Sequence, residues 1–218
     1  MSTGDTRTRA VLVHGIRDDS TSFAGVIDEL SELDVVAYDR RGWGPDEQER
    51  PTELAVHVRD LIERLEGRPS VVIGHSWGGN VALAAATERP DLVTAVGVYE
   101  TAMFWMDGWP AGHRALVDAT MEKVGDRPDG TPRQNQHRAL FCIEAGMTRH
   151  PTFDLDRPRP PCTVAYGTAS SEFFQAGMRR AAEVLDAPTV VLEGAGHMVH
   201  REDPRAFAGF VRTVVASA

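Results

Sequence analysis

The 218-residue sequence predicts an α/β fold, a mostly parallel sheet of about six strands with helices on both faces. Three observations carry this. Short apolar runs alternate with longer stretches of helical character. The runs are continuous rather than alternating in polarity, as in strands covered on both faces. One stretch, 101–161, breaks the rhythm without a strand candidate, after which the alternation resumes.

In chain order the strands are Ala10–His14, Asp34–Tyr38, Ser70–Gly74, Thr94–Tyr99, Cys162–Tyr166 and Pro188–Leu192. Between them the helices fall at about Thr21–Leu33, Pro51–Glu66, Trp77–Glu88, Ser171–Leu185 and Pro204–Ala216. Pro51 and Pro204 suit a first helical turn, where the missing N–H costs nothing. Crossovers between parallel strands are right-handed, so the helices cover both faces. The interruption ends in the Pro-rich run Arg157–Pro161, a poor helix and an unfit central strand. Residues 101–161 are therefore expected to form a helical lid inserted into a core of 1–100 and 162–218, with extra helices beside the sheet as the plainer reading.

Composition narrows the function. The apolar share of 42% and charged share of 25% are those of an ordinary globular protein. A net charge of −9 argues against nucleic acid, which needs clustered cations. No apolar run approaches the ~18 residues of a membrane span, so no membrane partner is expected. Met1–Arg9 is short and polar and lacks the apolar centre of a signal peptide. Cys142 and Cys162 are too few for a disulfide framework and fit two reduced thiols. A cytoplasmic location follows by default, and the oligomeric state is left open.

Gly74-His75-Ser76-Trp77-Gly78 lies where a strand ends and a helix begins. In Gly-x-Ser-x-Gly the small residues allow a turn sharp enough to present the serine at the sheet's edge. The following helix aims its N-terminal amides and positive dipole end at the same spot, where the Trp77 N–H would stabilise an oxyanion. A phosphate-binding loop would require Gly-Lys-Ser/Thr, and no lysine is present at this turn; a dinucleotide fingerprint would require Gly-x-Gly-x-x-Gly after the first strand, where His14-Gly15-Ile16-Arg17 stands.

His14-Gly15, the run Asp39–Gly42, the Ser76 elbow and Gly194–His197 together resemble the α/β-hydrolase superfamily, in order and across most of the chain. The resemblance implies an α/β-hydrolase fold trimmed to begin at the family's third strand. It implies His197 as the base and Ile16 as the second oxyanion amide. Serine alone is a poor nucleophile near neutral pH, so a base must take its proton. His200 is the nearest alternative, in surroundings that look like a helix approach. Should the second and third strands flank the first, the crevice opens at that switch point, beside Ile16 and Ser76.

The acid departs from the family pattern, since Ser170 stands where an aspartate is usual. Glu100, at the end of the preceding strand, matches the position used by branches resembling haloalkane dehalogenases. Glu172 is closer to the usual site but opens a helix, where a carboxylate has an ordinary stabilising role. Glu100 is favoured, with Glu172 as the alternative acid. Within 101–161, Met103–Met106, Trp109, Phe141 and Met147 could line an apolar pocket or fill the lid's own interface; Trp77 is better placed for a pocket.

The expected activity is therefore that of a serine hydrolase, carboxylesterase-like, on a small to medium, partly apolar ester, thioester or lactone. C–C bond hydrolysis, a lyase or biosynthetic reaction and simple binding on the same fold are the alternatives. Epoxide and haloalkane hydrolysis are disfavoured, because by resemblance they need aspartate at position 76. A triad calls for no cofactor or metal.

Overall fold

A computed structural model describes residues 7–44, 51, 53–110, 112–125 and 130–218. Residues 1–6, most of the N-terminal segment expected to be polar, lie outside it, as does residue 52 in the expected second helix. The strands are β1 (Arg9–Val13), β2 (Asp34–Ala37), β3 (Ser70–His75), β4 (Val93–Tyr99), β5 (Cys162–Gly167) and β6 (Thr189–Leu192). They form one parallel sheet in the order β2-β1-β3-β4-β5-β6. The order reverses at β1, whose neighbours are β2 and β3, so the crevice for a ligand opens beyond the carboxyl ends of β1 and β3.

The continuous apolar runs are explained by helices on both faces. Successive side chains of a strand point to opposite faces, and β1 divides accordingly. Val11 and Val13 join one core with Val58 and Leu61 of α2 (Leu54–Arg64), Val81 of α3 (Gly78–Glu88) and Met178 of α6 (Glu172–Leu185). Ala10 and Leu12 join the other, with Val26 of α1 (Ala24–Glu29) and Phe207, Phe210 and Val214 of α8 (Pro204–Val215). The expected first helix is shorter than its apolar pattern: Ser20–Phe23 form a 3-10 turn capped by Asp19, and α1 ends at Glu29.

Residues 101–161 contain two helices, α4 (His113–Gly125) and α5 (Pro132–Met147), packed on each other. Thr131 caps α5 by accepting from Gln134 N–H while the Gln134 side chain accepts from Thr131 N–H, with Pro132 in the first turn. The segment's roots are fastened to α3. Asn80 Nδ2 donates to Ala102 O at 3.0 Å, and Thr152 Oγ1 lies 2.8 Å from Asn80 Oδ1. Met103, Phe104 and Met106 are buried, which is the interface role rather than a pocket lining. Among the described residues no helix is long and apolar enough to cross a membrane.

Candidate active site

Ser76 sits between β3 and α3 with φ +52°, the left-handed conformation that a sharp strand-to-helix turn demands. Its N–H donates to Tyr99 O at 2.8 Å, tying the turn to β4. Close approach excludes side chains around it. A Cβ on Gly78 would lie 2.3 Å from Val13 O, and one on Gly15 would lie 2.9 Å from Ser76 Cβ and 3.3 Å from Ser76 Oγ. The loop after β1 is thus in contact with the serine itself.

His197 follows β6 and is held from three sides. Its Nδ1 faces Glu100 Oε2 at 2.7 Å; its carbonyl lies 2.8 Å from His75 Nε2, in the residue just before Ser76; Phe174 of α6 stacks on its ring at 4.6 Å. A carboxylate can only accept, so Nδ1 carries the proton and Nε2 is left with a lone pair. Glu100, at the end of β4, is fully buried with φ +46°. Its Oε1 accepts from Gly167 N at 2.9 Å, so each carboxylate oxygen has a fixed donor. The neighbouring Tyr99 hydroxyl donates to Gly196 O at 2.8 Å, and burial followed by the charge of Glu100 pushes its phenol well above the ordinary value. Tyr99 therefore stays a donor and pins the loop that carries His197.

Glu172 is not brought to His197. It is largely exposed and pairs with Arg179 one helical face along α6. His200, in α7 (Val199–Glu202), is buried with Nε2 3.0 Å from Asp18 Oδ2.

Trp77 follows the serine in the chain, and Ile16 follows Gly15, whose position touches the serine. Trp77 is the residue before α3, where backbone donors have no intrahelical partner. Among the described residues neither Ile16 N–H nor Trp77 N–H donates to another protein group. The Gly15 carbonyl, in contrast, is doubly held: His14 Nδ1 lies 2.8 Å away and Arg40 Nη2 donates at 2.9 Å. A trans peptide is planar, with C=O and N–H pointing in opposite directions. Fixing the Gly15 carbonyl therefore fixes the direction of the Ile16 N–H.

Arg40 is the hub of a buried network that sequence reasoning missed. Its Nε donates to His14 O at 2.8 Å, and its guanidinium meets Glu144 of α5 at 2.6 and 3.2 Å. Glu144 also accepts from Trp43 Nε1 at 3.1 Å, and its backbone carbonyl accepts from Trp77 Nε1 at 2.9 Å. The guanidinium lies over the Trp77 ring at 4.6 Å. Trp77 is thus packed inward beneath α5, a correction to its expected place in a pocket wall. Burial opposes ionisation of Glu144, but Arg40 and then His57 overcome it and hold the carboxyl down at about 2. Burial and Arg40 lower His14 to about 4, and its Nε2 accepts from Arg40 N at 2.9 Å, so the ring is neutral with Nδ1 as donor.

Phe173 and Phe174 were also missed. With Phe104 and Trp109 they form a chain of ring contacts ending on His197, at centroid distances of 4.6 to 6.2 Å. Among the described residues, Asp18, His75 and His200 could each bring one ligand atom to a metal, all within 4.8 Å. The Asp18 carboxylate is already matched by His200 and the Arg201 guanidinium, which outweigh burial and hold it well below the carboxylate range.

A sequence profile of the alpha/beta hydrolase family matches residues 10–210. The chain is 34% identical to hydrolase YugF of Bacillus subtilis (strain 168), over 91% of this chain and 86% of that protein. It is 31% identical to lipase LipV of Mycobacterium tuberculosis (strain ATCC 25618 / H37Rv), over 52% of this chain and 43% of the lipase. Among solved structures, the enol-lactonase of Burkholderia xenovorans LB400 shares the fold, with a TM-score of 0.72 at 22% identity, covering 98% of this chain and 93% of that one.

Proposed function

This chain belongs to the alpha/beta hydrolase family, and on that premise we propose that it is a serine hydrolase acting through an acyl-enzyme on Ser76. The observation that carries the reading is the 2.7 Å contact of His197 with the buried Glu100, next to a serine held at φ +52°. Ser76 Oγ attacks the carbonyl carbon while His197 Nε2 takes its proton. Glu100 holds the imidazole in the tautomer that can accept and stabilises the imidazolium that forms. The Ile16 and Trp77 amides receive the developing oxyanion, their aim fixed in advance by Arg40 and by the α3 terminus. His197 returns the proton to the leaving oxygen or sulfur; water, deprotonated by the same imidazole, then releases the acyl group and restores the serine.

The substrate is a small to medium ester, thioester or lactone. The ring chain ending at Phe174 supports an apolar portion beside His197. Residues 101–161 act as the lid over this crevice, with α5 anchored at Glu144. Hydrolysis of a p-nitrophenyl ester series tests the reading. The wild type should turn over with a defined chain-length optimum, and Ser76→Ala should lose about 10⁶ in kcat. Turnover unchanged by the substitution would overturn it.

A further inference from the structure

Arg17 follows the Ile16 amide directly and has φ +59°. Among the described residues five non-glycine residues adopt positive φ, and Glu66 and Asp186 do so at helix ends, where this is ordinary. Of the other three, Ser76 and Glu100 directly follow β3 and β4, and Arg17 lies in the loop after β1. Two of these have a place in the chemistry; strain of this kind at the third asks for one as well.

Arg17 forms one wall of a cavity of about 360 Å³ whose other wall is the lid: Lys123 of α4, and Gln134, His137, Arg138 and Phe141 of α5. Three of its described lining residues are cations and none is a carboxylate, in a chain whose net charge is −9. The cavity beneath Tyr38 differs, since Asp39, Asp60, Glu63 and Glu66 there answer Arg41 and Arg64. Among the described residues the Arg17 and Lys123 side chains have no hydrogen bond or ion pair. The two walls are also held in register. Arg40 grips the Gly15 carbonyl on the core side and Glu144 of α5 on the lid side, and His137 packs on Trp43 at 5.0 Å.

We propose that this cavity is a subsite for an anionic group on the substrate, a carboxylate or phosphate remote from the scissile bond. The inference rests on the acyl-transfer reading above for its connection to catalysis. Arg17 and Lys123 supply the charge, the Gln134 amide a neutral donor, and Phe141 contact for the intervening alkyl chain. Arg17 follows Ile16 directly in the chain, so the subsite adjoins the loop that carries the proposed oxyanion amide. These cations are open to solvent, so the attraction should weaken with salt.

The test separates the subsite from the chemistry. Glutarate and inorganic phosphate are titrated calorimetrically into the Ser76→Ala protein, alone and with Arg17→Gln and Lys123→Gln added. At least one anion should bind, the paired substitutions should weaken it about tenfold or more, and Arg59→Gln on the exposed face of α2 should not. Which anion binds identifies the group. In active protein, mono-p-nitrophenyl glutarate should be preferred over p-nitrophenyl pentanoate through a lower KM, a preference that salt and the paired substitutions abolish. Binding without any ester turnover would support the subsite while defeating the acyl-transfer reading. Binding of neither anion, or binding indifferent to Arg17 and Lys123, would overturn the subsite even if neutral esters are hydrolysed.

Discussion

At Glu100 both carboxylate oxygens are committed, one to Gly167 N–H and one to His197 Nδ1, in a fully buried position. Replacing the carboxylate by an amide removes the charge that stabilises the imidazolium and puts a donor where an acceptor is required. Glu100→Gln should lower kcat by about 10⁴ with the fold intact, whereas Glu172→Gln, at an exposed helix start, should change it less than about threefold. Steady-state kinetics of the two variants decide this, and a larger loss in the second would reverse the assignment. Ser76 and His197 were legible because each sits in a local pattern, and Glu100 because a carboxylate ends a strand. Arg40 and Glu144 were not: Arg40 lies in the Asp39–Gly42 run, which gave no role to its side chain, and Glu144 stands 104 residues away in no motif. Phe174 was hidden for a related reason: an aromatic in the first turn of a helix reads as core until its partner ring is known.

Helix α5 is the element through which residues 101–161 meet the core. Its Glu144 is buried among Arg40, Trp43 and His57, and its last turns lie against Trp77. Removing one partner of a buried ion pair leaves the other charge uncompensated, at a cost of about 3–5 kcal/mol. Glu144→Ala should therefore destabilise the protein by about that much in urea unfolding. At temperatures where it remains folded, kcat should fall further than KM rises, because Arg40 no longer holds the Gly15 carbonyl and the Ile16 amide loses its aim. An unchanged kcat would show that the ion pair is structural alone. The four central strands were read correctly because burial on both faces leaves a sequence signature; the edge strands β2 and β6 carry apolar runs although they are only partly buried. One helix start shifted where local capping decided it, since Asp19 diverts the chain into a 3-10 turn before α1, whereas α8 starts at the expected Pro204, capped by Asp203. Helices α4 and α5 could not be placed from the pattern, since both show only weak amphipathicity.

At the scale of the whole molecule, three buried histidines among the described residues, His14, His57 and His75, are held neutral, chiefly by burial. Their folded pKa values are lowered, so in acid the unfolded chain takes up protons that the folded chain refuses. Stability should fall as pH drops from 7 to 5, by about 2 kcal/mol from His14 alone, given its value of about 4. Glu144 acts in a lower window: its stabilisation is complete above the ordinary carboxylate value and is lost as pH falls toward about 2. Urea midpoints at pH 7 and pH 5 test the histidine effect, and equal stabilities would contradict it. The proposed nucleophilic role of Ser76 rests on the reversal at β1 and on Ile16, Ser76, Glu100 and His197 all lying in loops beyond the carboxyl ends of strands. The first measurement is therefore covalent labelling with a fluorophosphonate, which an activated serine displaces at phosphorus with loss of fluoride. Mass spectrometry should find one adduct, on the peptide containing Ser76, formed in step with the loss of esterase activity and absent from Ser76→Ala. Labelling at another residue, or ester turnover that survives full labelling of Ser76, would contradict nucleophilic catalysis by this serine.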